Sequence, residues 1–297
     1  MSSIKASQIV KSYGKKEVLH GIDLELESGK IYGLIGRNGA GKTTLLSILS
    51  AQNPATSGTV TVGNEPVWEN PAALEHICFS RELNQMVGNT ANSMKVKEYL
   101  KIASLFLPHW DGEMEQRLVR EFQLDTKKRI SRLSKGMLSM VTIVVALASK
   151  AEFTILDEPV AGLDVVARET FYRLLMEEFT ESGRTFVIST HIIEEAANVF
   201  EEVILLDEGN ILLKENTEEL LECAWYVSGR EDEVDRATAG YTQHHAERLG
   251  RSKGVTILTE PGEAFVTNCD VTVQKVSLQK LFVALCGEEG EKNDGKR

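Results

Sequence analysis

Eight consecutive residues, Gly36-Arg37-Asn38-Gly39-Ala40-Gly41-Lys42-Thr43, set three glycines, a lysine and a hydroxyl at a spacing suited to phosphate. In this G-x-x-x-x-G-K-T pattern the glycines let the backbone amides curl around an anion where side chains would block the approach. Lys42 brings a positive charge to the phosphates, Thr43 offers its hydroxyl to Mg²⁺, and Thr44 follows in the first helical turn. A second group, Phe153-Thr154-Ile155-Leu156-Asp157-Glu158, ends an apolar run in two carboxylates. Asp157 suits a magnesium site, and Glu158 suits a general base that polarises an attacking water. Alone, that pair reads equally well as a solvated acidic turn; the phosphate loop upstream favours the chemical reading. A third group, Leu133-Ser134-Lys135-Gly136-Met137, opens an apolar helix with Ser134 as N-cap; the helix dipole there favours an anion, though in isolation the segment reads better as an ordinary capped core helix.

These residues need elements to present them. The apolar run Lys30 to Ile35 reads as the strand before the phosphate loop, and Thr44 to Leu49 as the helix behind it. Leu24 and Leu26 alternate with charged neighbours, and Thr59 to Val62 lies between the turn signals Ser57-Gly58 and Gly63-Asn64, so residues 4–62 read as short strands. Residues 93–130 read as helical, with Met114, Leu118 and Phe122 recurring every fourth position. Two further apolar strands, Phe153 to Leu156 and Thr185 to Ile188, flank a helix from Glu169 to Phe179. Apolar strands alternating with helices predict a parallel sheet covered on both faces.

A boundary is expected near Leu221. Beyond it Ala224 to Val227 and Val271 to Val273 read as strands, and Ser277 caps a final helix with Leu278, Leu281, Phe282 and Leu285 on one face, ended by Gly287. The reading is a main domain over 1–221, with a helical subdomain at about 83–150, a small α+β appendage over 222–287, and a charged, disordered tail at 288–297.

Composition narrows the classes of function. A chain of 297 residues with 42% hydrophobic and 26% charged residues is ordinary for a globular protein. Its longest near-continuous apolar run, Met140 to Ala148, falls well short of the ~20 residues that span a bilayer. The first residues lack a basic-then-apolar leader pattern, which leads to the expectation of a cytoplasmic chain. A net charge of −11 argues against nucleic acid as partner and against docking on anionic lipid. The four cysteines, Cys78, Cys223, Cys269 and Cys286, have no metal-type spacing and read as free thiols in a reducing compartment.

The order of features resembles one family. Phosphate loop, Leu-Ser-x-Gly helix, acid-terminated strand (the Walker B pattern), Ala161-Gly162-Leu163-Asp164, and then His191 directly after Phe186-Val187-Ile188-Ser189-Thr190 is the layout of ATP-binding cassette (ABC) ATPases over residues 4 to about 220. The resemblance implies a P-loop NTPase fold with a mixed sheet core, an antiparallel β subdomain and an α-helical subdomain. It implies ATP as substrate with Mg²⁺, a head-to-tail homodimer, and integral-membrane permease subunits that hold the chain at the inner face of the membrane. It places Tyr13 where the family stacks an aromatic on adenine, and Gly36 to Thr44 at the phosphates. Ser134 and Gly136 are placed at the γ-phosphate of ATP held by the second copy, Asp164 at the dimer interface, and His191 as the γ-phosphate sensor. The family has a magnesium-contacting Gln after the strand near Ile77-Cys78-Phe79; counting from that strand gives Glu82, with Gln85 as the alternative. The signature reads Ser-Lys-Gly-Met, with Lys135 adding a charge near the partner's phosphate.

Leu107 to Asp111, the Leu-Ser-Lys-Gly-Met signature and Val276 to Phe282 resemble in particular the Gram-positive exporter branch that includes YtrB-like and phenol-soluble-modulin exporter ATPases. The function implied is an ATP-hydrolysing subunit that powers export through dimer closure. The alternative is a non-transport or regulatory ABC ATPase whose output is partner binding.

Overall fold

The computed structural model describes residues 2–83 and 93–287; Gln85 and the tail from residue 288 lie outside the described residues. The strands are β1 (Ser3–Tyr13), β2 (Lys16–Glu27), β3 (Ile31–Ile35), β4 (Ser57–Val62), β5 (Glu65–Pro66), β6 (Ile77–Arg81), β7 (Phe153–Asp157), β8 (Thr185–Thr190), β9 (Glu202–Asp207), β10 (Asn210–Asn216), β11 (Ala224–Arg230), β12 (His244–Leu249), β13 (Ser252–Leu258) and β14 (Val271–Lys275). The helices are α1 (Lys42–Leu49), α2 (Pro71–Leu74), α3 (Val96–Phe106), α4 (Gly112–Glu121), α5 (Lys135–Ala148), α6 (Val165–Ser182), α7 (Ile193–Ala196), α8 (Thr217–Cys223), α9 (Glu231–Ala237) and α10 (Leu278–Cys286).

The central sheet runs β10-β9-β3-β8-β7-β6; β9, β3, β8, β7 and β6 are parallel and β10 is antiparallel. Its strands bury both faces. In β8, Phe186 and Ile188 face one core cluster and Val187 the other; in β9, Val203 and Leu205 face the first, Ile204 and Leu206 the second. The second cluster is closed by the antiparallel sheet β2-β1-β4-β5 and by α1, whose Leu45, Leu46, Ile48 and Leu49 are buried in it. The first cluster is closed by α5, α6 and the smaller helices α3 and α4. These layers are the mixed sheet, antiparallel β subdomain and helical subdomain read from the sequence.

One buried charge cluster ties this frame together. Glu178 of α6, with a fully buried side chain, sits 2.7 Å from Lys150 Nζ and 2.9 Å from Arg184 Nε. The Arg184 guanidinium also donates to the Leu147 carbonyl at 2.8 Å and to Thr154 Oγ1 at 3.0 Å. It therefore joins the end of α5, strand β7 and the start of β8.

Two details differ from the sequence reading. Helix α6 covers Val165–Ser182 rather than Glu169 to Phe179, because Asp164 caps it through Ala167 N at 2.8 Å and Gly183, at φ +62°, ends it. The C-terminal part contains a four-stranded antiparallel sheet, β12-β13-β11-β14, and helix α9, where two strands were expected. Polar sequences at β12 and the mid-strand Gly254 of β13 hide the alternation there. That sheet has its own small core of Val227, Val234, Val255, Ile257 and Phe265. The final helix α10 does not join it: Val276, Leu278, Leu281 and Cys286 are buried in the first cluster of the main domain.

Candidate nucleotide site

Parallel pairing brings four loops to one edge of the central sheet. Ile35 pairs with Thr190, Ser189 with Asp157, and Asp157 with Arg81. The residues just past these ends are therefore neighbours: Gly36 after β3, His191 after β8, Glu158 after β7 and Glu82 after β6. An open α/β sheet binds its ligand at the carboxyl ends of its strands in this way.

The phosphate loop turns through Gly41 at φ +109°, a conformation only glycine adopts without strain. Space agrees with this, because a Cβ at Gly41 would stand 2.8 Å from Leu19 Cδ2 and one at Gly36 2.3 Å from the Leu206 carbonyl oxygen. The loop leads straight into α1, whose first-turn amides face the same cleft. Lys42 is the first residue of that helix and only 7% exposed; its Nζ donates to the carbonyls of Gly36 at 2.7 Å and Arg37 at 3.3 Å. Burial holds its ammonium below the ordinary value, while Glu158 and Asp157 act in the opposite sense. A nearly buried cation of this kind gains from an incoming phosphate.

Across the cleft, Glu158 Oε1 lies 3.9 Å from Lys42 Nζ, and its Oε2 is 2.6 Å from His191 Nδ1. Glu158 has φ +53°, an uncommon conformation for a residue with a Cβ. It is held there by its backbone N–H, which donates to Ser189 Oγ at 2.9 Å and to the Ser189 carbonyl at 3.2 Å. The same Ser189 hydroxyl donates to Asp157 Oδ1 at 2.6 Å. Ser189 is fully buried and orients both acids, a role that sequence reading passed over; the available signal was a polar Ser-Thr pair closing an apolar strand before a histidine.

A cleft of about 260 Å³ is lined by Val18, Arg37, Asn38, Gly39, Gly41, Lys42, Thr43, Thr44 and Glu158. Seven of these are phosphate-loop residues proposed from the sequence, and Glu158 is the expected acid. Val18, on β2, was not foreseen; the antiparallel sheet carries it in. The hydroxyl of Thr43 and the carboxylate of Asp157, which has one oxygen on Ser189, form a hard oxygen donor set that fits Mg²⁺ retaining some of its waters.

Other expected residues stand outside the cleft wall. Tyr13 is exposed, with its hydroxyl accepting from Asn53 Nδ2 at 2.6 Å and the Lys11 ammonium 4.9 Å from its ring centre. Ser134 and Asp164 are exposed caps: Ser134 Oγ accepts from Met137 N at 3.3 Å, and Asp164 Oδ1 from Ala167 N at 2.8 Å. Gly136 presses on the 161–164 loop, where a Cβ would stand 2.5 Å from the Gly162 carbonyl oxygen. Ser139 Oγ adds a bond to the Ala161 carbonyl at 2.7 Å. Thus Ser134, Gly136 and Asp164 form one unit, and none of them lines the phosphate-loop cleft. Glu82 is exposed, with Oε1 3.5 Å from Lys135 Nζ, so its carboxylate pairs with the signature lysine.

Comparison with known proteins gives this arrangement its family. Residues 19–161 match the model of the ABC transporter family. The chain is 31% identical over 229 residues to the lantibiotic transport ATP-binding protein SrtF of Streptococcus pyogenes, covering 73% of this chain and 95% of that protein. It is 26% identical over 219 residues to the ABC transporter ATP-binding protein YtrB of Bacillus subtilis, covering 74% of each. It is 33% identical over 220 residues to the ribose import ATP-binding protein RbsA of Streptococcus agalactiae, spanning 70% of this chain but only 44% of that longer protein. In fold it resembles a nucleotide-free ATP-binding cassette from an ABC transporter, with a TM-score of 0.60 and 24% identity over 73% of this chain and 92% of that one. The chain belongs to the ABC transporter family, as an ATP-binding and ATP-hydrolysing subunit.

Proposed function

We propose that this chain works as a head-to-tail homodimer which powers export by separate membrane-spanning subunits, each ATP being enclosed between the phosphate loop of one copy and the Ser134–Gly136 signature of the other. The observation that carries this reading is the split of the site. Lys42, Thr43, Glu158 and His191 converge on one sheet edge, while the exposed Ser134 and Asp164 form a unit of their own with the half-buried Gly136, outside the cleft lining. Val165 and Val166, 57% and 72% exposed beside Asp164, give that unit an apolar flank suited to a second copy. The apolar face at Ile102, Leu105 and Phe106, three to four residues apart on α3, suits cytoplasmic loops of the permease. Among the described residues no helix is long and apolar enough to cross a membrane, consistent with that division of labour.

In the proposed cycle Arg37 to Thr44 hold the α-, β- and γ-phosphates, and Tyr13 offers its ring to the adenine. Glu158 orients the attacking water and draws on its proton, while His191, fixed on Glu158 through Nδ1, meets the γ-phosphate. Thr43 and Asp157 would hold Mg²⁺, which when bound neutralises charge on the β- and γ-phosphate oxygens. Glu82, whose Oε1 pairs with Lys135, would be the further ligand. Export as the direction is supported by the resemblance of the signature and α10 sequences to the Gram-positive exporter branch.

The test is Glu158→Gln. The variant should bind ATP, lose hydrolysis by ~10²–10⁴-fold as expected for removal of a general base, and accumulate an ATP-bound dimer in size-exclusion chromatography. Turnover at the parent rate would remove Glu158 from that role. Export is tested separately, by reconstituting the chain with its co-purifying membrane protein and following which side of the vesicle gains solute.

A further inference from the structure

Helix α10 (Leu278–Cys286) lies beyond the small C-terminal sheet in sequence, yet its buried side chains belong to the ATPase core. Leu278, Leu281 and Cys286 share one apolar cluster with Ile31, Ile35, Ile188, Ile193 and Ala196, and none of them enters the core of the small sheet. Its neighbours are α7 (Ile193–Ala196) on one side and β12 of the small sheet on another. Strand β12 in turn pairs with β13, so the sheet backs the helix.

Helix α7 begins two residues after His191. It is one turn long, with no side-chain cap, and is followed by a short 3₁₀ turn over Ala197–Val199. A helix that short does not hold itself in water, so its position is set by what packs on it. The imidazole of His191 is 53% exposed, and its Nδ1 bonds Glu158 Oε2 at 2.6 Å. Packing on Ile193 and Ala196 therefore has leverage over where that ring sits. At the far end of α10 Cys286 is 6% exposed, and burial pushes its thiol up to about 11.

We propose that α10 is a positioning element for the site: by packing on α7 it holds His191 against Glu158, and the C-terminal sheet serves to hold α10 there. Leu281, only 1% exposed, is the positioning residue, whereas Val283 on the same helix is 44% exposed. The proposal rests on His191 and Glu158 being the catalytic pair, so it needs a readout independent of turnover.

The experiment records imidazole nitrogen shifts of His191 in the full-length protein, with His191→Ala for assignment, comparing the parent with Leu281→Val, Leu281→Ala and Val283→Ala. In the parent, the ring should show a single fixed tautomer with Nδ1 engaged. In both Leu281 variants it should move toward the averaged shifts of a free imidazole, with kcat lowered roughly ten-fold and ATP affinity unchanged; Val283→Ala should match the parent. In a His191→Ala background, Leu281→Val should cause no further loss of kcat. Leu281→Val is the milder change and keeps the test open if Leu281→Ala does not fold. An unchanged His191 ring in Leu281→Val, or an equal kcat loss with and without His191, would overturn the proposal. If His191→Ala itself leaves turnover intact, the catalytic reading fails, and the ring shifts still decide whether α10 positions the histidine.

Discussion

Gly136→Ala separates helix propensity from packing, because the two give opposite signs. Gly136 is the second residue of α5, and exchanging a helical glycine for alanine ordinarily stabilises by about 0.5–1 kcal/mol. Here the added Cβ would stand 2.5 Å from the Gly162 carbonyl oxygen, about 0.9 Å inside an ordinary contact at 3.4 Å. The atom it meets is backbone and cannot rotate away, and Gly162, at φ +81°, already carries the Lys135 stem against it. The 161–164 loop and the start of α5 must therefore separate, with an overpacking cost of about 1–3 kcal/mol that cancels or exceeds the propensity gain. The functional effect should be larger. A shift approaching 1 Å between Ser134 and Asp164 misaligns both with the partner's nucleotide, and a displacement of that size costs on the order of 10²-fold in rate. The assay pairs thermal unfolding with ATP turnover and with nucleotide binding to the monomer. Unfolding temperature should stay level or fall, binding should persist, and turnover should drop by one to two orders of magnitude. A raised unfolding temperature with parent-like turnover would refute the packing argument and leave propensity in charge.

Further expectations concern the frame that carries the site. Glu178→Ala leaves Arg184 and Lys150 without their buried carboxylate and should destabilise by about 3–5 kcal/mol, seen as a loss on the order of 10 °C in melting temperature; a loss below ~1 kcal/mol would show the cluster to be dispensable. Ser189→Ala removes the donor to Asp157 Oδ1 and one acceptor for Glu158 N; turnover should need more Mg²⁺ for half-saturation, and an unchanged Mg²⁺ titration would contradict the orienting role. Asp111 caps α4 by accepting from Glu113 N and Met114 N, and Asp111→Ala should cost ~1 kcal/mol. The Met114 amide, with Lys150 and the Glu113 amide, holds the Asp111 carboxyl below its ordinary value against the effect of burial. Its folded value being the lower one, its stabilisation is present above the ordinary carboxylate value and lost as pH falls through the depressed one, so parent and Asp111→Ala should converge in stability in strong acid. A constant gap down to that pH would contradict this.

Much of the site was legible because its chemistry depends on local runs. Gly36 to Thr44, Asp157-Glu158 and His191 each follow an apolar strand, and parallel pairing turns that shared grammar into a shared edge. Residues that act through distant packing were not legible. Val18 reaches the cleft because one sheet lies on another, and Ser189 acts through a bond across two strands. The Glu82–Lys135 pair joins residues on separate loops, so counting along either segment could not find it. The C-terminal part was readable as α+β, but the sequence of α10 shows only an apolar face. That this face joins the cluster of Ile193 and Ala196, and not the small core of Val227, Val255 and Ile257, is a property of the assembled core. Strands β12 and β13 escaped notice because His244 to Leu249 lacks alternation and Ser252–Leu258 contains Gly254.

The central claim is that each ATP site is built from two copies of the chain. Mixing two inactive variants tests it most directly: Lys42→Ala, which loses phosphate binding, and Ser134→Arg, which blocks the signature surface. In a mixed dimer the phosphate loop of the Ser134→Arg copy faces the intact Ser134 and Gly136 of the Lys42→Ala copy, so one complete site forms. The account predicts that ATP turnover, absent or minimal in each variant alone, reappears on mixing and rises with the fraction of mixed dimers. Turnover of the mixture equal to the sum of the separate variants at every ratio would contradict it.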